Sequence, residues 1–393
     1  MIKDSGLRVA VVGCGYWGSK HVRVLHSIDE VERVVLVDGA QERLSSLSRS
    51  YPGAAAFTAL TDALPEIDAA VIATPPTTHV PLALEAIAAG KHVLVEKPLA
   101  ATTAGARELI VAAETAGVIL MVGHTFEYNA AVWKLRDLVR SGVLGDLYYL
   151  DTARLNLGLY QSDVNVIVDL APHDFSIINF VVGQSPIAVQ AWASRHAHAR
   201  LEDVAYIRLF YADHRLSANV HVSWLDPYKV RRVTAVGSEK MATYNDLAGD
   251  ERIRVLDKGV RLPSVEGDLS QRPMSYRYGD ILSPYVAFDE PLSIEDRHFA
   301  ECVRNGTTPA TDGRNGLAVV EILDAAQLSL ILNRPVMLDE LGGRAVLLGA
   351  SNGYPHDTRP SLDPHEWLRD YFARRENPPA ERDRPSEPKR LVR

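Results

Sequence analysis

The chain has 393 residues, 47% hydrophobic and 23% charged, which is ordinary for a globular protein and long enough for two domains with a large core. Forty-two basic against fifty acidic residues leave a formal charge of -8, a balance that repels a phosphate backbone and argues against a nucleic-acid partner. Cys14 and Cys302, the two cysteines, lack any ligand-like spacing, so no disulfide framework or structural zinc site is expected. The first apolar run is too short for a secretory h-region and leads straight into a glycine motif, so no signal peptide is expected. No apolar run approaches the ~20 residues of a membrane span, and the expectation is a cytoplasmic protein with no membrane partner.

From residue 7 to 124, short β-branched runs at 7–12, 34–37, 69–73, 92–95 and 118–122 alternate with helical stretches. The stretches at 81–89 and 104–116 end in Gly90 and Gly117, where a helix C-terminus favours left-handed dihedrals. This alternation predicts an α/β domain, 1–124, built on a doubly wound parallel sheet. Beyond a helix at 130–140, strand-like runs follow one another at 146–155, 187–193, 204–210, 216–223, 230–236 and 252–256. They predict an α+β domain, 125–350, on an open, mostly antiparallel sheet. One helical insertion is expected near 169–180, and two later helices at 294–305 and 316–330. The remainder, 351–393, is rich in proline and charge and is expected to be disordered. An alternative reading is a short docking helix presenting Trp367, Leu368, Tyr371 and Phe372 on one face.

The first motif with chemical content is Gly13-Cys-Gly15-Tyr16-Trp17-Gly18, which follows the first strand. Gly13 permits the tight turn, Gly15 admits a pyrophosphate close to the backbone, and Gly18 allows close helix–strand packing, while the helix N-terminus offers N–H groups to the anion. Asp38 closes the next strand twenty residues after Gly18, where a carboxylate can take the ribose hydroxyls of a dinucleotide. The motif thus predicts a Rossmann-type domain. Asp38 is followed by Gly39-Ala40-Gln41 and not by Arg or Lys. With no guanidinium nearby, NAD is favoured over NADP. Tyr16 and Trp17 either contact the cofactor or pack beside the turn.

Two further segments end parallel strands, where open α/β sheets place their ligands. Thr74-Pro75-Pro76-Thr77-Thr78-His79 can cap the following helix or touch the nicotinamide ribose, with Thr74, Pro75 and His79 as candidate cofactor contacts. Glu96-Lys97-Pro98 sends a lysine into the crevice, in a place suited to proton transfer, and a cis proline would fix its direction. Later, Asn165 leads into Asp169-Leu-Ala-Pro172-His173-Asp174. On a helix, Asp169 and His173 share one face, so the carboxylate could orient an imidazole that accepts an alcohol proton. The alternative for that pair is a surface ion pair or cap. Pro172 suggests that the segment opens as an irregular turn.

In this order the motifs resemble the Gfo/Idh/MocA oxidoreductases, the family of glucose–fructose oxidoreductase and inositol dehydrogenase, over roughly residues 7–336. The resemblance implies that Lys97 and His173 handle the proton, that Asp169 binds or orients substrate, and that Gly13, Gly15, Gly18, Asp38 and Glu96 belong to the cofactor side. Longer strings, Val122-Gly-His-Thr-Phe-Glu-Tyr128-Asn129, Arg154-Leu-Asn156-Leu-Gly158 and Asp163-Val-Asn165, resemble the sugar-nucleotide 3-dehydrogenase branch, whose members oxidise C3 of UDP-N-acetylglucosaminuronic acid with NAD. That likeness adds Tyr128, Arg154, Asn156 and Asn165 as candidate substrate contacts. Arg154 and Asn156 read equally well as residues of a solvated strand face. Glu127-Tyr128-Asn129 also departs from the arginine often found there in the family.

The remaining histidines carry less. His196 and His198 have no nearby third ligand, so no metal is expected. His21, His79, His92 and His124 read as helix, cap or strand-end residues. The resulting expectation is an NAD-dependent dehydrogenase for a nucleotide-linked sugar, assembled as a homodimer or homotetramer through the second sheet. A 3-ketosugar reductase and a non-catalytic dinucleotide sensor are its rivals.

Overall fold

The computed structural model describes residues 6–341 apart from 159, 162, 198 and 262–274. The proposed tail 351–393, with its alternative docking helix at Trp367, and the side chain of His198 lie outside the described residues. Six parallel strands build the first sheet: β1 (Leu7–Val12), β2 (Val31–Val37), β3 (Ala55–Phe57), β4 (Ala69–Ile72), β5 (His92–Glu96) and β6 (Leu120–Gly123). Their order, β3-β2-β1-β4-β5-β6, reverses direction between β1 and β4, and this switch opens a crevice at the strands' carboxyl ends. Helices α1 (Tyr16–Leu25), α2 (Gln41–Ser50), α3 (Leu60–Ala63), α4 (His79–Ala88) and α5 (Thr103–Ala116) connect them. Burial on both sheet faces explains the nearly unbroken apolar runs of β1 and β4. The weakly patterned β3, α2 and α3 escape the sequence reading. In α2 only Leu44 is buried, so no apolar stripe announces the helix.

The second half contains α6 (Ala130–Arg140), β7 (Leu147–Leu157), α7 (Val166–Val182), β8 (Ala188–Ser194), β9 (Val204–Phe210), β10 (Ser217–Ser223), β11 (Leu225–Gly237), β12 (Met241–Asn245), β13 (Ile253–Arg261), β14 (Ser275–Leu282), α8 (Pro291–Asn305), α9 (Gly313–Leu332) and β15 (Val336–Met337). Nine strands form one open sheet in the order β14-β13-β12-β11-β7-β10-β9-β8-β15. It is antiparallel except where β7 and β10 run parallel. Alternation decides which face the helices cover: Ala205, Ile207 and Leu209 of β9 are buried, while Tyr206 points outward.

Two sequence expectations are corrected here. The segment around Pro172 is no irregular turn. Helix α7 already begins at Val166, capped by Asn165, whose side-chain oxygen accepts the Val168 N–H at 3.2 Å, and Pro172 sits inside it. The proline removes one intrahelical donor, but burial of Val166, Ile167, Ala171 and Phe175 holds the helix against the sheet. The expectation that no apolar stretch reaches membrane-span length also fails. The 20-residue α9 passes that test by length and composition. Here α9 packs into the core through Val319, Val320, Ile322 and Ala326, lying against α5, α7 and β8. One apolar cluster runs from Leu7 and Val9 through Trp133 and Phe175 to Phe299, so both sheets share a continuous core.

Candidate active site

The glycine turn between β1 and α1 is sterically specified. Gly13 adopts φ +92°, and a methyl there would fall 2.7 Å from the Ala73 carbonyl oxygen; one on Gly18 would fall 1.8 Å from the Gly13 oxygen. Gly15 faces open space. As N-cap of α1 it brings no side chain to the first N–H groups, and the first turn carries no acidic residue. A helix start of this kind suits a pyrophosphate, so the residues fit a dinucleotide. Asp38 stands at the next strand end. One of its oxygens accepts the Cys14 N–H at 2.8 Å and the other the Ala40 N–H at 2.8 Å. The premise that no guanidinium lies near Asp38 is corrected, though not the NAD expectation it served: Arg43 brings its guanidinium to 3.4 Å from Asp38, because the first turn of α2 folds back over the strand end. Tyr16 and Trp17 stand outward at 74% and 39% exposure, with the Lys20 ammonium 4.5 Å above the Tyr16 ring.

Thr74 lies against this turn, its methyl close to Gly13, and its hydroxyl oxygen accepts the Thr78 hydroxyl at 2.8 Å. Pro75 remains exposed. His79 is fully buried, with ring nitrogens 2.8 Å from the carbonyl oxygens of Pro98 and Thr74. It therefore tacks two turns together and has no free nitrogen for a cofactor, which corrects its candidate role.

Lys97, at the end of β5, precedes a cis peptide bond to Pro98. Its ammonium donates to the main-chain oxygen of Asp169 at 2.9 Å and lies 4.0 Å from the Asp169 carboxylate. The Trp224 indole N–H donates to the other carboxylate oxygen at 2.9 Å. One helical turn later comes His173, set edge-on to Phe126 at 5.1 Å between centroids. Burial, followed by the charges of Lys97, Arg154 and Arg231, holds His173 well below its ordinary value of 6.5. The ring is therefore neutral near pH 7 and free to accept a proton. Lys97, Asp169 and His173, 76 residues apart at the extremes of the sequence, meet because α7 lies across the carboxyl end of β5.

Beneath them is a charged cluster that the sequence reading missed. His21 of α1 is fully buried, with Nδ1 2.9 Å from Asp296 of α8 and Nε2 3.1 Å from Glu96. Burial pulls its pKa down, but the charges of Asp296 and Glu96 and the hydrogen bonds to them outweigh it, and His21 is raised well above its ordinary value. Glu96 consequently turns into the protein, where its other oxygen accepts the Lys97 N–H at 3.0 Å, and does not face the cofactor. Its imidazole partner lies three residues beyond Gly18, and the signal for it was a histidine on the inward face of the motif's helix.

The candidate substrate residues divide. Arg154 belongs to no solvated face: it is 6% exposed, donates to Asp174 at 2.7 Å and stacks on Phe126, so it fixes α7 and the aromatic wall beside His173. Asn165 caps α7 and donates to Glu202 at 2.9 Å. Tyr128 is wholly buried, its hydroxyl 3.0 Å from the Thr311 hydroxyl, which leaves it no free polar atom for a sugar. Asn156 is half-buried near the end of β7, with its amide close to Gly158. His196 serves as a partner of Asp203 at 2.9 Å. No group of metal-ligating residues occurs among the described residues.

Residues 7–124 match the model of an oxidoreductase family with an NAD-binding Rossmann fold, Gfo/Idh/MocA, and residues 132–243 match the Gfo/Idh/MocA C-terminal domain. The D-apiose dehydrogenase of Paraburkholderia graminis is 26% identical over 352 residues, covering 86% of this chain and 91% of that protein. The UDP-N-acetylglucosamine 3-dehydrogenase of Acidithiobacillus ferrooxidans is 32% identical over 186 residues, 47% of this chain and 57% of that enzyme. The crystal structure of GenD2 from gentamicin A biosynthesis, in complex with NAD, superposes with a TM-score of 0.71 at 27% identity, covering 85% of this chain and 96% of that one. With its glycine turn, its Glu-Lys-Pro strand end and its two sheets, this chain belongs to the Gfo/Idh/MocA family and is an NAD-dependent oxidoreductase.

Proposed function

We propose that the protein oxidises a ring hydroxyl, at C3, of a nucleotide-linked sugar to the ketone, with Lys97 and His173 as the proton-handling pair. The observation that carries this reading is the clasp of the Lys97 ammonium on the Asp169 carbonyl at 2.9 Å, one turn from a neutral imidazole. NAD, when bound, supplies the hydride acceptor. Gly13, Gly15 and Gly18 seat its pyrophosphate and Asp38 takes a ribose hydroxyl, with Thr74, Tyr16 and Trp17 around them. His173 accepts the proton from the alcohol as its oxygen becomes a carbonyl, while the Lys97 ammonium donates a hydrogen bond to that oxygen, the two acting as one coupled network. Asp169, held by Trp224, orients Lys97, and Asn156 lines the sugar side. The sugar class is supported by the similarity to the UDP-N-acetylglucosamine and D-apiose dehydrogenases. We divide the chain at residue 124 and place the enzyme in the cytoplasm.

Lys97→Ala should lower turnover by about 10²–10⁴-fold while NAD still binds; near-normal turnover rejects the assignment. A screen of UDP- and dTDP-sugars for nicotinamide fluorescence reports substrate and direction together. A second reading, a 3-ketosugar reductase using NADPH, draws on Arg43 beside Asp38, and a strong NADPH preference in that screen would select it. On the outer face of the nine-stranded sheet, Trp192, Tyr206 and His221 line a groove of about 590 Å³, with Trp192 57% exposed. We assign this face to the contact between copies in a homodimer or homotetramer, and a monomeric mass in light scattering rejects that.

A further inference from the structure

Glu96 and Gly123 are partners in the ladder between β5 and β6, so Lys97 and His124 leave adjacent strands side by side, at the carboxyl ends where the fold binds its ligands. His124 is only 2% exposed, and its surroundings fix its tautomer. Nδ1 lies 2.6 Å from the Asn315 side-chain oxygen. The orientation of that amide is set by its nitrogen, which donates to both oxygens of Glu127 at 3.2 Å. Nδ1 must therefore carry the proton and Nε2 the lone pair. The network continues from Glu127 to the Ser176 hydroxyl at 2.7 Å, on the same helix as His173. Nε2 itself is buried without a hydrogen-bond partner among the described residues. An acceptor oriented through three side chains and left unsatisfied in the core is costly unless a bound group completes it.

We infer that His124 Nε2 accepts a hydrogen bond from a ligand in the cleft, as a third ligand-contacting residue beside Lys97 and His173. The inference rests on the reading that this cleft is the active site. The chemistry required is a neutral donor, which is found both on the carboxamide nitrogen of nicotinamide and on a sugar hydroxyl.

Two substitutions separate a ligand contact from a merely structural role. His124→Asn keeps a donor toward Asn315 and removes the Nε2 acceptor; His124→Gln places an acceptor near the Nε2 position and gives up the Asn315 contact. NAD binding is followed by protein fluorescence on the full chain, and KM is measured for the best sugar from the nucleotide-sugar screen. His124→Asn should weaken binding roughly five- to tenfold, in the NAD dissociation constant if the donor is the carboxamide and in the sugar KM if it is a hydroxyl. His124→Gln should stay within about threefold of wild type. Unchanged binding in both arms for His124→Asn, or impairment of His124→Gln alone, overturns the inference. If wild type binds NAD but oxidises no sugar, the proposed function fails, and the cofactor arm alone then decides the role of His124.

Discussion

Two buried imidazoles, His173 and His21, hold opposite charge states in one molecule. Desolvation acts on both in the same direction, toward the neutral ring. Around His173 the charges are Lys97, Arg154 and Arg231, which push the same way. Around His21 they are Asp296 and Glu96, which overcome burial and make an imidazolium. The first ring is thereby kept available to accept a proton. The second is consumed in holding β5, α1 and α8 together under the lysine. What separates the neutral ring from the charged one is the sign of its neighbours, and burial alone does not distinguish them.

The contrast can be broken first at His173. His173→Asn should cut turnover by about 10²–10⁴-fold with little change in the denaturation midpoint, and normal turnover would show that the neutral ring is a bystander. Removing a carboxylate from the other ring should act on stability: Asp296→Ala is expected to cost about 3–5 kcal/mol in urea unfolding, as when one partner of a buried ion pair is deleted. An unchanged midpoint would mean that His21 is not held as a cation. The smallest effects lie in pH. His21 has a folded-state pKa above its unfolded value of about 6.5, so its stabilisation is fully present below that value and lost as pH rises toward the folded pKa. The stability gap between wild type and His21→Gln should shrink by about 1.4 kcal/mol per pH unit over that range. His173 has the reverse shift, so kcat/KM should hold from pH 7.5 to about 6.5 and decline only below it. A decline already complete at pH 7 would contradict the neutral-ring account.

Much of the nucleotide half was legible in advance. Gly13, Gly15, Gly18 and Asp38 act through local sterics and fixed spacing, and the chain alone states both. Lys97, Asp169 and His173 could be named from their motifs, but not the atom by which lysine and helix meet: the Asp169 main-chain oxygen carries no side-chain signature. The misreadings share one cause. Tyr128, His79, Asn165 and Glu96 are polar residues in suggestive places, and each spends its hydrogen bonds inside the protein. Arg43 was overlooked because only the turn into α2 folds it back to Asp38.

By itself, the order of apolar runs and glycines determined two sheets and the dinucleotide turn, because periodicity and backbone sterics are local properties. Tertiary structure decided which polar groups face the cleft and which charge each buried imidazole carries. Those depend on neighbours hundreds of residues away, such as Asp296 beside His21, and electrostatics in a low-dielectric interior is set by distance in space, which sequence separation does not encode.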